Sequence, residues 1–494
     1  MKKYDIIIVG AGPAGVFCAY KLMKENPDLK VCIMEKGKSL AERKCPISEG
    51  KVNKCVNCKQ CSIMSGFMGA GAFSDGKYNI TTEYGGFLNG YIPDDKLFSL
   101  MNEVDSINLK MFHSYNKRKF SETLDTAYLD DNIRQIRLFS SYDEDLKKKC
   151  LQNNLHLLSG QCRHLGTDNN LRIGEQLFYE LSEKVDIMFE TQVETFGFRE
   201  DLNVFEVKCK QKVDLVEDET VYYAADKLVV APGRVGAEWL KEVCKTLDIK
   251  TTNNQVDIGV RVEVPYEILS DITDKIYELK IKYKTDKYED TVRTFCMNPK
   301  GYVVTENSDG IITVNGHSFD DPNLASKNTN FALLVSNRFT EPFDEPYKYG
   351  KSIASFSNML GDGIIVQRFG DLIRHRRTNA HRLGQNTVRP TLNATPGDLS
   401  LVLPKRHLDN IIDMIYQMNK IIPGMTNDDI LLYGIETKFY SAKVEVNNNL
   451  ETSIKNLYCI GDGSGWTRSL SYASASGIYV ADNILNDKRN VVLD

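Results

Sequence analysis

Two stretches of this 494-residue chain carry residue types at spacings that could do chemistry. The first is Gly10-Ala11-Gly12-Pro13-Ala14-Gly15, a G-x-G-x-x-G run, with Glu35 about 20 residues past its last glycine. That set could seat a dinucleotide. Gly10 would allow a tight turn, Gly12 would let a pyrophosphate approach the backbone, and Gly15 would let a helix lie close on a sheet. Pro13 and Ala14 would form the first helical turn, and Glu35, with Lys36 beside it, could accept hydrogen bonds from ribose hydroxyls. The second stretch is Cys45 with Cys55-Val56-Asn57-Cys58-Lys59-Gln60-Cys61. Overlapping C-x2-C steps could bring three thiolates onto one metal, with Cys45 as a fourth ligand. The spacing matches part of an iron–sulfur run but lacks its C-x3-C-P end. A tetrahedral zinc site, a thiol/disulfide redox pair and a set of inert thiols also fit it.

The dinucleotide reading depends on the elements around the glycines. A buried strand, Ile6 to Val9, should precede them. A helical pattern with Val16, Phe17, Ala19, Tyr20, Leu22 and Met23 follows, and then a second apolar run, Val31 to Met34, ending at Glu35. The free N–H groups and positive dipole end of the helix would face phosphate charge. Between Ser65 and Lys77 a second glycine-rich segment, with Gly69, Ala70 and Gly71, should pass close to a ligand. Ser74 and Lys77 could hydrogen-bond phosphate or ring oxygens.

Further along, helices are expected over 96–111, 131–151 and 171–184. A strand over 186–190 leads to Thr191–Glu194, a position that places Val193 beside an adenine. Residues 205–209 and 220–223 alternate like a hairpin. Asp226 to Gly233 reads as a buried strand ending in a turn, and Asp257 to Glu263 as a further strand. Strand-like runs continue at 291–296, 302–305, 311–314 and 331–335, with helices at 352–360 and 408–421. Leu457 to Ile460 is a buried strand running into Gly461-Asp462-Gly463-Ser464-Gly465, followed by a small-residue helix over 471–485. The expected architecture is therefore α/β. A Rossmann-like domain, a parallel sheet with helices and a β-hairpin or meander layer, is built from 1–93, 159–263 and 441–494. A mostly helical insertion spans 94–158, and an α+β substrate or cap domain spans 264–440.

Composition narrows the function classes. Net charge is -5 and the sequence pI is about 5.9, which gives no electrostatic case for nucleic acid or an anionic membrane. No run reaches the roughly 18–20 apolar residues of a membrane span. The opening Met1-Lys2-Lys3 and its apolar run belong to the strand–turn–helix unit rather than to a signal peptide. Twelve scattered cysteines in a chain this long do not make a secreted disulfide scaffold, so a reducing cytoplasm is the expected compartment.

Three separated pieces, the N-terminal unit with Glu35, Leu228-Val229-Val230-Ala231-Pro232-Gly233 and Leu457 to Asp462, together resemble the glutathione-reductase-like flavoproteins with two dinucleotide-binding motifs. The closer resemblance is to a prokaryotic family of NAD(P)/FAD-dependent dehydrogenases. It is carried by CVNCKQC, SGFMGAGAFSDGK, HLGTD, DIGVRVE, PKGYVV, NGHSF and GDGSGWTRSLSYASASG. The resemblance implies FAD as cofactor, with Gly461 and Asp462 at the ribityl chain and Ala231 and Gly233 at the turn before the inserted domain. Pro232 stands there where threonine is usual. The last motif reads Gly-Asp-Gly-Ser-Gly-Trp where many relatives have Gly-Glu-Gly-Ala-Gly-Tyr, the mark of a distinct branch.

FAD would take or give hydride at its N5 atom, and the chain would have to manage a proton. His317, after a strand, has a suitable ring for general acid/base work. Glu436 and Lys438 could line the same cleft. Trp466 and Arg468 could cover the flavin ring, and Arg374-His375-Arg376-Arg377 could bind an acidic substrate or an electron donor's phosphate. A second G-x-G-x-x-G after a strand is missing, so no separate NAD(P)H domain is expected. A nicotinamide would dock transiently, or electrons would enter through the cysteines. Two functions follow: an oxidoreductase acting on a small organic substrate, or an electron-transfer or RNA-modification partner protein that docks a ferredoxin-like donor on its inserted domain.

Overall fold

The structure is a computed structural model. It describes the chain except residues 47, 53–55, 57, 121–135, 213–217, 309, 319–321, 341, 344 and 492–494. The chain forms two compact units. One comprises Met1–Phe139, Gln161–Thr252 and Ser441–Asp494, the other Ser140–Gly160 and Asn253–Tyr440.

The first unit is built on β1 (Lys2–Val9), α1 (Pro13–Glu25) and β2 (Val31–Met34). β1 pairs in parallel with β2 on one side and with the long Asp218–Val230 strand on the other. The Leu457–Cys459 and Asp186–Met188 strands extend the parallel set. Ile6, Ile7 and Ile8 are fully buried, as a strand covered on both faces requires. The first half of the Asp218–Val230 strand turns to a different task. It pairs antiparallel with Val204–Lys212, which pairs in turn with Thr191–Arg199. The expected Rossmann-like sheet and meander layer are thus two parts of one seven-stranded sheet. The C-terminal helix Leu470–Val491 lies on α1 so closely that a Cβ on Gly477 would stand 2.1 Å from the Ala14 carbonyl oxygen.

The second unit is an eight-stranded, mainly antiparallel sheet with helices. Its middle strand, Val256–Pro265, is buried along nearly its whole length. Alternation sends Ile258, Val260, Val262 and Val264 into an apolar cluster shared with Ile411, Met414, Ile415 and Met418 of the Lys405–Ile421 helix. Asp257, Gly259, Arg261 and Glu263 then fall on the opposite face. Three charged residues on one side of a buried strand must find partners inside the protein.

Several expectations shift. The boundary expected at 264 falls at 253, so the Asp257–Glu263 strand belongs to the second unit. The expected helical insertion over 94–158 forms no body of its own. Its long helix, Asp94–Phe120, is part of the first unit, while residues 140–160 join the second, where Leu155–Leu157 becomes the edge strand of the large sheet. Of the helix expected over 131–151, residues 131–135 lie outside the described residues. The remainder is a strand, Leu138–Ser140, and a shorter helix, Glu144–Gln152. Asp143 caps that helix by accepting the Leu146 N–H and so fixes its late start. Among the described residues, no helix is long and apolar enough to cross a membrane.

Gly477→Ala tests the close helix pair. Alanine normally stabilises a helix interior by about 1 kcal/mol over glycine. Here the clash with the Ala14 carbonyl should reverse the sign and cost roughly 2 kcal/mol in chemical denaturation. Gly197→Ala, with open space around its Cβ, should stay within about 0.5 kcal/mol.

Candidate functional site

The turn between β1 and α1 has the form a phosphate seat needs. Gly12 precedes the helix, Pro13 opens it, and no side chain caps the helix start. Gly10 sits at φ +104°, and a Cβ there would meet the Ala231 carbonyl oxygen at 2.5 Å. A Cβ on Gly15 would stand 2.0 Å from the Gly10 carbonyl oxygen, whereas one on Gly12 would meet nothing within 4 Å. The turn is tight everywhere except on the side where a pyrophosphate would approach.

Glu35 organises the turn from below. Its buried carboxylate accepts three backbone N–H groups: Ala11 at 2.9 Å on Oε2, and Gly37 at 2.8 Å and Gly66 at 2.9 Å on Oε1. A carboxylate has about four acceptor positions, so one on Oε2 remains for the ribose contact expected of this residue. Lys36 is half-buried, and its carbonyl oxygen accepts from Gln60. Val193 is buried in the Thr191–Arg199 strand.

The glycine-rich segment folds onto this turn as a short 3-10 helix, Gly69–Phe73. A Cβ on Gly69 would lie 3.2 Å from the Gly12 Cα, and one on Gly71 would lie 3.0 Å from Pro13 Cγ. Ala70 lies between them. Asn170 holds the segment by donating from Nδ2 to the carbonyls of Gly71 and Ala72 at 2.6 and 3.1 Å. Ser74 and Lys77 are occupied locally: Ser74 Oγ donates to the Gly71 carbonyl at 2.8 Å, and Lys77 pairs with Asp75 at 2.9 Å. In the structure both shape the turn. Arg43 was not singled out in the sequence, where it is one of several basic residues between Lys36 and Lys59. It is buried, and its guanidinium donates to the carbonyls of Ser62, Ile63 and Phe67 at 2.6–2.8 Å. Burial lowers its pKa to about 10, opposed by the charge of Glu35.

That clamp fixes the chain just after the cysteine run. Cys45 is half-buried, Cys58 and Cys61 are exposed, and Cys55 lies outside the described residues. Among the described residues, no group of three or more His, Cys, Asp or Glu side chains is placed to hold a metal ion.

The C-terminal motif reaches the same turn. Gly461, at φ +77°, would place a Cβ 3.2 Å from the Ala14 Cβ. The Gly463 N–H donates to the Pro232 carbonyl at 2.8 Å, next to Ala231, which is buried, and Gly233, which is exposed. Asp462 accepts the Thr467 hydroxyl at 2.6 Å on Oδ1. Burial raises its pKa, opposed by that hydrogen bond and by the charges of Arg234 and Arg468. Trp466 is held from two sides. Its indole N–H donates to the Val444 carbonyl at 2.9 Å, and Tyr91 packs edge-on at 4.6 Å between centroids. The Arg468 guanidinium lies 4.3 Å over the Phe87 ring. The reason is local: residues 85–87 and 466–468 pair through a bridge and two backbone hydrogen bonds, which draws both side chains into packing.

The second unit brings two of the three acid/base candidates together. Glu436 and Lys438 lie within the Leu431–Lys438 strand. Fully buried Glu436 stands 3.2 Å from Lys438 Nζ and 3.4 Å from Arg261 Nε. Arg261 donates further to the Cys296 carbonyl at 2.8 Å and to Asn315 Oδ1 at 3.2 Å. Neither Glu436 oxygen, nor Arg261 Nε, nor Asn330 Nδ2 has a hydrogen bond of ordinary geometry among the described residues. Buried polar atoms in that condition point to a small polar guest or ordered water. His317 ends the Ile311–His317 strand and is exposed. Its neighbour Gly316 lies over Arg261, since a Cβ there would stand 2.3 Å from a terminal guanidinium nitrogen. Arg261 was a missed residue. Its signal was present in the alternation Asp257–Arg261–Glu263, which puts an arginine on one face with two acids.

Residues 255–439, nearly the main segment of the second unit, match the family described as FAD-dependent protein, C-terminal domain-like. Residues 1–42 match the Thi4 family. The matches support a FAD-dependent protein. An uncharacterized protein of Clostridium beijerinckii is 24% identical over 498 residues, spanning 97% of this chain and 80% of its own. A thiamine thiazole synthase of Coprinopsis cinerea is 58% identical over 33 residues, 7% of this chain and 10% of that one. Among solved structures, a formate oxidase covers 99% of both chains at 12% identity with a TM-score of 0.45. A glycine oxidase from Geobacillus kaustophilus covers 98% of this chain and 95% of its own at 11% identity with a TM-score of 0.36. Scores this low mark a loose likeness of architecture and carry no assignment of activity.

Asp462 gives a paired test. An acid whose pKa is raised by folding stabilises the fold at low pH and loses that contribution as pH rises through the raised value. Asp462→Asn should therefore raise the melting temperature of the cofactor-free protein at neutral pH, with a gain that shrinks toward acid pH. The same variant should bind FAD about tenfold more weakly, the loss of one charge-assisted hydrogen bond, in a fluorescence titration.

Proposed function

We propose that the protein is a FAD-dependent oxidoreductase of the glutathione-reductase-like superfamily, from the dehydrogenase branch of prokaryotic flavoproteins, acting on a small organic substrate. One observation carries the reading. Three distant segments, the Gly10–Gly15 turn, the Gly69–Phe73 helix and the Gly461–Asp462 turn, meet around one uncapped helix start that stays open above Gly12. The residues present fit FAD: glycines for close approach, bare N–H groups for the diphosphate, Glu35 for the ribose and Asp462 for a polar chain. When bound, FAD supplies hydride exchange at its N5 atom.

The remaining work falls to this chain's own side chains. In the second unit, Arg261 holds Glu436 and leaves Lys438 Nζ half-buried between Glu436 and Glu306, at 3.2 and 3.8 Å. An ammonium in that position can donate to a substrate oxygen and hold a proton at Nζ during the reaction. His317, at the exposed end of its strand, is the second proposed acid/base residue. Nicotinamide dinucleotide is the proposed electron donor.

The test is anaerobic bleaching of the yellow protein. NADH or NADPH alone should reduce it. Indifference to both, with fast reduction by a ferredoxin, would instead identify an electron-transfer protein. Once a metabolite screen finds a substrate that reduces or reoxidises the flavin, Lys438→Met should slow that half-reaction by about 10²-fold with FAD still bound.

A further inference from the structure

We propose that the arginine loop of the second unit, centred on Arg376, Arg377 and Arg382, is a binding site for a phosphate-bearing small molecule. From Arg374 to Gly397 the chain contains five arginines, two histidines and no acid, in a protein of net charge -5. Two of these arginines, Arg376 and Arg382, are held by one buried carboxylate. Asp371 is fully buried and accepts the Thr378 hydroxyl at 2.8 Å, Arg376 Nε at 2.7 Å and Arg382 Nε at 3.0 Å. Burial pushes the Asp371 pKa up, but those donors outweigh it and hold the group below the usual carboxylate range. It therefore stays charged and keeps its grip.

The Nε edges of Arg376 and Arg382 are thus spent on the protein. Beyond those edges the Arg376 side chain is 48% exposed and that of Arg382 29% exposed. One terminal amino group of Arg382 donates to the Arg377 carbonyl, which fixes the turn that carries exposed Arg377. His375 within this turn sits at φ +51°, a conformation that costs energy for a residue with a side chain and persists where its surroundings enforce it. Arg374 pairs with Asp428 at 2.8 Å, and Arg368 pairs with Asp429. Counting Arg368 and Arg389, six arginines stand against Asp371, Asp428 and Asp429. Exposed arginines ordinarily lose side-chain entropy when they bind. For Arg376 and Arg382 the Asp371 carboxylate supplies part of that ordering in advance, which raises affinity without new contacts. Planar forks held in this way suit phosphate oxygens.

The shared chemistry is a phosphate dianion, and two sources offer it: the phosphomonoester of NADPH or free orthophosphate. Naming NADPH rests on the oxidoreductase reading; the anion site does not. The experiment is calorimetric titration of the full-length protein with NADPH, NADH and orthophosphate. NADPH should bind about tenfold more tightly than NADH, the effect of one charge-assisted contact pair. Arg376→Gln with Arg377→Gln should erase the difference. Orthophosphate that binds as tightly as NADPH, and competes with it, would confirm the site and assign the free ion as its source. Asp371→Asn separates an ordered site from diffuse charge. It raises the local positive charge, yet it should weaken binding because the forks lose their anchor. If it misfolds by circular dichroism, exposed Arg377→Gln alone still decides. Absence of binding by both NADPH and orthophosphate, or full binding in the Arg377→Gln variant, overturns the proposal. Flavin colour read in the same samples keeps the two claims apart. A colourless protein that binds phosphate refutes the cofactor and leaves the site, and a yellow protein that does not bind phosphate does the reverse.

Discussion

A carboxylate buried without partners would cost several kcal/mol. Glu35 avoids that cost by accepting the N–H groups of Ala11, Gly37 and Gly66. Those donors come from three places: the turn after β1, the end of β2 and the start of the glycine-rich segment. One side chain therefore sets the distance between the phosphate turn and the segment that walls it. Arg43 completes the arrangement from the other side by holding the carbonyls of residues 62, 63 and 67. With Gly66 fixed at both ends, Gly69 and Gly71 come down against Gly12 and Pro13. The openness above Gly12 is a consequence of this bracing as much as of the missing Cβ.

The second unit meets a similar problem with less complete compensation. Its central strand puts Asp257, Arg261 and Glu263 inside the protein. Asp257 is matched by Arg293 at 2.6 Å and by the Tyr440 hydroxyl, and Glu263 by the Tyr433 hydroxyl at 2.5 Å and Asn328 at 3.0 Å. Arg261 and Glu436 are left with ion-pair contacts but unsatisfied hydrogen-bonding atoms. Two buried acids are thus fully satisfied and a third is left short, and a half-satisfied buried pair calls for an ordered water or small polar guest to complete its hydrogen bonds.

Much of the first unit was legible in the sequence because its signals are local. A strand, a glycine turn, an amphipathic helix and a second strand follow one another within 36 residues, and their periods differ clearly. The hairpin of 205–209 with 220–223 was equally plain. What could not be read was long-range accounting. Nothing in the sequence shows that the Ser74 hydroxyl closes its own turn. Nor does it show the partners of Trp466, Tyr91 and Val444, which come from elsewhere in the chain. The cut at 253 rather than 264 was hidden because Val256–Pro265 takes its partners from residues 328–337 and 431–438, and nothing in its own composition says which unit claims it. Arg43 and Arg261 were missed for the same reason. Each is a charge whose role is defined by carbonyls and acids distant in sequence.

The central claim is that these separated segments together hold a flavin, and the cofactor content of the purified, folded protein tests it most directly. Absorbance of the native protein, followed by denaturation and quantification of the released dinucleotide, should give one FAD per chain, with binding weakened when Glu35 is replaced by glutamine. A protein that is folded by circular dichroism, colourless, and unable to take up added FAD would contradict the account.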